Sequence, residues 1–390
     1  MSKGYGAPYK GSKNRLAKDL SEAIPSADNF YDLFAGGCSV THRMLETGSY
    51  KNYFANDLDG QGLQLFMDAI SGKYKDEKRW ISREDFYRLK DTDLYVSYCW
   101  SFGNKAVQYL YSKEIEPWKK ALHYARVYGD FSQMEEFGIH TDGSFKDINT
   151  HQNEYKRLYI KWWLRQQGYS EEELEALIER CKGQIEVQEE ELRQYLLKGL
   201  ESSGLTQAEV GRRLGTCMAS HYFAKSQWGF PTQEYYKQMQ TFMPALDKDY
   251  NEIIGLHNLW QRLESLESLE SLQRLEASFM SYDEVKIKPD SVIYCDPPYR
   301  GTDGYKNEFN HERFYDWCTR QKELVLISEY AMPKDRFTEV WNKKHRSLLS
   351  ATTNKWVIER LYVPTHQLQK YKEMMLRTKQ CVQLELFSEY

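Results

Sequence analysis

The chain has 390 residues, 41% of them apolar and 28% charged, enough to build the core of one large domain or two ordinary ones. A net charge of −4 excludes a uniformly basic nucleic-acid coat, so any positive charge meant for DNA has to be gathered on one surface. Seven cysteines with no C-x-x-C pair argue against a zinc site or a disulfide framework, and without a signal-like start or a long apolar span a soluble, metal-free intracellular protein is expected.

Residues 29–40 (NFYDLFAGGCSV) read as a short apolar strand entering a glycine turn, with a helix from Thr41 to Glu46. Residues 52–56 (NYFAN) form a second strand ending at Asp57, and residues 60–71 another helix. Strand, turn, helix and strand in that order are the grammar of an α/β fold. In the turn, Phe34 and Ala35 precede Gly36 and Gly37, and glycine there lets backbone approach a ligand closely. About twenty residues on, Asp57 stands where an acid hydrogen-bonds ribose hydroxyls. Neither a G-x-G-x-x-G helix entry nor a phosphate-loop GK[ST] is present, so a nucleoside without phosphates fits better than NAD or ATP.

Residues 75–255 read as mostly helical, including YKRLYIKWWLRQQG and a glutamate-rich run from Glu171 to Glu191 that suits a solvated helix face. Thr206-Gln207-Ala208-Glu209 is a T-x-x-E capping box that opens a helix through Leu214. Gly215 supplies a turn, and Thr216 caps a second helix toward Lys225, giving a helix-turn-helix near 204–228. On it Ser220, His221, Lys225 and Gln227 would face a major groove, while Arg212 and Arg213 would meet phosphates. A helical hairpin with a polar outer face is the alternative.

Residues 263–275, LESLESLESLQRL, repeat leucine every third position, so the leucines wind around a helix instead of forming one seam. A spacer grown by tandem duplication is expected there. SVIYC (291–295) and LVLISE (324–329) are continuous apolar runs typical of buried parallel strands, and WVIERLYV (356–363) is a further strand candidate. The organisation expected is one catalytic domain, residues 1–72 and 276–390, interrupted by a helical target-recognition insertion at 73–262 and by the repeat.

The strongest signal is Asp296-Pro297-Pro298-Tyr299, directly after SVIYC. Two prolines freeze a turn at the carboxyl end of the strand, the edge where open α/β sheets bind ligands. The turn offers a carboxylate, a carbonyl and an aromatic ring in fixed relation, which suits methylation of an aromatic amine. The lone pair of such a nitrogen is delocalised into its ring. Two acceptors on its two hydrogens, the Asp296 carboxylate and the Pro297 carbonyl, would localise that pair, with Tyr299 stacked on the base.

With PYKGSK (8–13), DLFAGGCSV (32–40), NDLD (56–59), DPPYRGTDGY (296–305) and ISEY (327–330), the chain resembles the Dam-type DNA adenine-N6 methyltransferases whose cofactor motif comes first and DPPY last. The resemblance covers most of residues 1–70 and 280–365. It implies a Rossmann-like seven-stranded sheet, S-adenosyl-L-methionine as cofactor, and double-stranded DNA as partner, in the cytoplasm of a bacterial cell or phage-infected host. By it, Tyr9 and Lys13 lie along the cofactor, Phe34 and Gly36 wrap its methionine part, Asp57 holds its ribose, and Asp296 to Tyr299 are catalytic. An acidic–aromatic pair against the cofactor's adenine corresponds to Ser281-Tyr282, with Asp283 one step on. The helix-turn-helix resembles phage-type DNA-reading inserts more loosely. A cytosine C5 enzyme is excluded, since no Pro-Cys dipeptide occurs. An amino-methyltransferase acting on another base and a catalytically silent DNA-binding regulator are the other readings.

Overall fold

The computed structural model describes residues 4–144, 148, 151–216, 219–224, 231, 233–247, 266, 270–299, 309–346 and 356–388. Seven described strands form one sheet: β1 (Asn29–Asp32), β2 (Asn52–Asn56), β3 (Leu275–Ser278), β4 (Ser291–Cys295), β5 (Leu324–Glu329), β6 (Phe337–Arg346) and β7 (Trp356–Pro364). Their order is β3-β2-β1-β4-β5-β7-β6. Strands β1 to β5 pair in parallel, and β7 runs antiparallel to both β5 and β6. Every residue of β1, β4 and β5 is buried, which accounts for the apolar runs Val292–Cys295 and Leu324–Ile327. The strand order reverses at the β1–β4 pair, and open α/β sheets bind ligands beyond the carboxyl ends at such a point. This is the seven-stranded Rossmann-like α/β sheet expected.

Two compact units divide the described chain. The sheet belongs to residues 4–77, 86–108 and 258–390, and a helical unit comprises residues 78–85 and 109–257. Residues 86–108, expected within the insertion, group with the sheet. The helix Leu94–Cys99, capped by Asp93, buries Tyr95, Val96, Ser97 and Tyr98 in succession, which demands a large neighbour. Tyr95 stacks on Tyr74 at 5.3 Å, and the Tyr98 hydroxyl donates to Gln61 Oε1 at 2.8 Å.

The leucine repeat ends against the sheet. Residues 270–274 form a 3-10 turn, Ser271 Oγ donates to the Leu45 carbonyl at 2.7 Å, and Leu275 opens β3 opposite Tyr53. The last residue of the repeat thus pairs with β2, while residues 263–265 and 267–269 lie outside the described residues. The helical unit has one core around Trp118, Leu122 and Tyr159 and another around Leu196, Val210, Leu214, Phe223 and Tyr236. Between them runs the helix Glu171–Ser203, opened by a reciprocal Ser170–Glu173 capping box.

Candidate functional site

Beyond β1 the chain turns through Leu33 to Gly37. Ala35 N–H donates to the Asn56 carbonyl at 2.9 Å and Ala7 N–H to the Gly37 carbonyl at 2.7 Å, so the loop is strapped on both sides. Gly36 adopts φ +49°, and a Cβ on Gly37 would lie 2.5 Å from the Ala7 carbonyl oxygen. Only glycine fits this pair. The Tyr9 ring packs on Gly36 and stacks on Tyr98 at 5.8 Å.

Asp57 Oδ2 accepts the Gly36 N–H at 2.9 Å, and Oδ1 accepts the N–H groups of Asp59 and Gly60 at 3.0 Å each. One carboxylate thus ties the glycine loop to the next helix start. Beside it Leu58 and Phe279 expose 66% and 49% of their surfaces, an apolar flank beside an acid. Phe34 stacks on Tyr282 at 5.5 Å, with Phe314 edge-on to both. The neighbouring Asp283 turns away to pair with Arg313. Of the residues expected to meet the cofactor's adenine, Tyr282 is the one brought to the glycine loop.

Asp296 to Tyr299 leave β4, and Leu33 N–H donates to the Tyr294 carbonyl at 3.0 Å, so this turn and the glycine loop emerge from adjacent strands at the same end. Lys13 joins them from the N-terminal segment. Its ammonium sits 2.8 Å from Asp296 Oδ1, 3.9 Å from Glu359 Oε1 and 4.6 Å from the Tyr299 ring centroid. The Tyr299 hydroxyl donates to Glu359 and lies 3.2 Å from Ser328 Oγ, which itself donates to Glu359 Oε1 at 2.7 Å.

Residues 9–199 match the profile of the D12 class N6 adenine-specific DNA methyltransferases. Over this span, nearly half of its length, the chain is similar to that family. No curated protein matches its sequence. The matched span holds Tyr9, Lys13, the glycine loop and Asp57, while the turn at 296–299 follows it. By this match the chain is an enzyme that methylates the exocyclic nitrogen of adenine in DNA.

Electrostatics of the methyltransferase centre on three acids, the buried Asp32 and Glu359 and the half-buried Asp296. Burial pushes Asp296 up to about 6; Lys13 pulls it down and Glu359 pushes it up. Burial and then the Asp296 and Glu359 charges push the Tyr299 phenol well above its ordinary value, so it remains a donor. Burial likewise pushes Asp32, at the end of β1, up to about 7, opposed by a hydrogen bond from Thr41 Oγ1 at 2.8 Å. The folded state holds that proton more tightly than the unfolded chain. Asp32 therefore favours folding most below about pH 4, and this contribution fades as pH rises through about 7. Asp32→Asn is expected to remove that dependence, raising the thermal midpoint at pH 8 by a few degrees relative to the native protein but not at pH 5. A constant offset between the two proteins across that range would reject it.

Glu359 and the pairing of Lys13 with Asp296 escaped the sequence reading. A signal for Glu359 was present: alternation in WVIERLYV sets Val357, Glu359, Leu361 and Val363 on one face, where the acid interrupts an aliphatic row.

In the helical unit, Thr206 and Glu209 form the expected capping box on the helix Gln207–Leu214, and Gly215 closes it at φ +65°. A Cβ on Gly211 would lie 2.9 Å from the Thr216 carbonyl, so the following helix packs closely. That helix spans Ala219–Phe223, starting later than Thr216. Arg212 and Ser220 line a common hollow of about 620 Å³. Arg212, Arg213 and Ser220 are exposed and His221 half-buried. The Arg213 guanidinium lies over the Phe242 ring at 5.1 Å. Lys225 and Gln227 lie outside the described residues.

Proposed function

We propose that this adenine methyltransferase binds S-adenosyl-L-methionine beyond the ends of β1 and β2 and presents Asp296, Pro297, Pro298 and Tyr299 to an adenine turned out of duplex DNA. The observation that carries the reading is the emergence of the glycine loop and the Asp296 turn from adjacent strands where the strand order reverses. The donor set suits this cofactor: an acid, Asp57, for ribose hydroxyls; apolar Leu58 and Phe279 beside it; Phe34 and Tyr282 stacked at the loop. Tyr9, Ala35, Gly36 and Gly37 would line the remainder. When bound, the cofactor supplies an electrophilic methyl group on a sulfonium.

The protein's part is to prepare the nucleophile. Asp296 and the Pro297 carbonyl accept the two amino hydrogens and localise the nitrogen lone pair. Pro298 fixes the turn, and Tyr299 holds the base by its face. The target amino group is paired within a duplex, so the base has to leave the stack to reach Asp296. Expression in a methylation-free host, with single-molecule sequencing of its DNA, is expected to reveal N6-methyladenine at one short target sequence. Modified cytosine alone, or no modified base, overturns the reading.

Reading of the duplex is assigned to the helix-turn-helix, supported by its capping box, tight Gly211 contact and exposed polar face. Ser220, His221, Lys225 and Gln227 would address bases; Arg212 and Arg213 would address phosphates. Arg212→Ala is expected to weaken DNA binding and lower the salt slope of log K by about 1, with cofactor affinity unchanged. An unaltered slope moves the phosphate contact elsewhere.

A further inference from the structure

We infer that Glu359 is a positioning residue for methyl transfer: it tethers the Tyr299 phenol and shares Lys13 with Asp296. The inference rests on the proposed role of the Asp296–Tyr299 turn and deepens it. Glu359 is 2% exposed in the interior of β7, and a buried carboxylate is costly unless several partners satisfy it. Ser328, Tyr299 and Lys13 do so from three separate parts of the chain. A role in packing alone needs no acid at 359, since Leu361 and Val363 on the same face are aliphatic.

Two consequences follow from the geometry. Tyr299 is fixed by two prolines at its backbone end and by Glu359 at its hydroxyl end, so its ring is held at both ends before any base arrives. Lys13 lies between two acids, closer to Asp296. When the Asp296 oxygens turn to the amino hydrogens of adenine, the ammonium retains Glu359 as a counter-charge.

The groups around Glu359 are Lys13 from the N-terminal segment, Tyr294, Asp296 and Tyr299 from β4 and its turn, Ser328 from β5, and Tyr330 just after β5. Across the β6–β7 ladder it is opposite Lys343, whose ammonium pairs with Asp19. Removing the Glu359 charge takes away one influence that holds the Asp296 proton on and leaves Lys13 to Asp296 alone. Both changes make Asp296 more acidic.

The test uses the full-length enzyme with S-adenosyl-L-methionine and a duplex carrying its mapped target. Glu359→Gln keeps the shape and an acceptor oxygen but loses the charge. It is expected to lower kcat about 10-fold, hold KM for DNA and Kd for the cofactor within about 3-fold, and move the acid limb of the rate profile to lower pH. Tyr299→Phe keeps the ring and loses the tether, and should produce a similar fall in kcat. The double variant should fall no further than the worse single one, as coupled residues do. Should Glu359→Ala fail to fold, these two variants still decide the matter. A native kcat and acid limb in Glu359→Gln overturns the inference. So does a kcat loss matched by equal losses in cofactor affinity and thermal midpoint, the mark of a merely structural residue. Asp296→Ala separates the two levels: if it is inactive while Glu359→Gln is native, only the role of Glu359 falls. If Asp296→Ala is active, the reading of the whole turn falls.

Discussion

With Asp296 replaced by alanine, single-turnover methyl transfer is expected to drop on the order of 10³-fold while DNA affinity changes less than about 3-fold. The amino nitrogen of adenine is a weak nucleophile because its lone pair belongs to the ring. One acceptor of the proposed pair is the Pro297 carbonyl, which no side-chain substitution removes, so the carboxylate is the member open to test. Folding should survive its loss. Lys13 has a second acid in Glu359, 3.9 Å away, and is not left as an isolated buried charge. Asp296→Asn retains one acceptor oxygen without the charge and is expected to be intermediate, with a loss of about 10²-fold.

The pH dependence follows from the same group. With Asp296 raised to about 6, the carboxylate is ionised at pH 7.5 and becomes protonated as pH falls through 6. A protonated acid presents a hydroxyl where the mechanism needs an acceptor. The native kcat should therefore decline below pH 6 with a slope near one, and stopped assays with labelled cofactor would measure it. A limb near pH 4 would mean that Lys13 outweighs burial in the working complex.

What could be seen in the sequence was written in short segments. Buried parallel strands are continuous apolar runs, and their functional turns carry glycine or proline, so residues 34–37 and 296–299 stood out without any knowledge of the fold. The sheet edges did not. Among the described residues β6, FTEVWNKKHR, pairs only with β7, and it bears the charges that edge strands tolerate, which hides its strand character. β3 is a four-residue strand at the tail of a repeat whose period of three suits neither helix nor strand. Residues 86–108 looked like part of the insertion because a short helix gives no sign of which neighbour it buries against. The network of Lys13, Asp296, Tyr299, Ser328 and Glu359 was hidden for another reason. Its members are up to 346 positions apart, and only strand order brings them together.

Asp57 should produce the largest effect on the cofactor side. For Asp57→Ala, calorimetry is expected to give a Kd for S-adenosylhomocysteine raised about 10- to 100-fold, the range for losing charge-assisted hydrogen bonds. The complication is that Asp57 already holds the N–H groups of Gly36, Asp59 and Gly60, so alanine also loosens the loop. A second ligand separates the two contributions. An analogue lacking both ribose hydroxyls cannot use the carboxylate, and it should bind native enzyme and Asp57→Ala within about 3-fold of each other. If the variant weakens both ligands equally, Asp57 acts only by shaping the glycine loop, and the ribose has to find its acceptor elsewhere on the ends of β2 and β3.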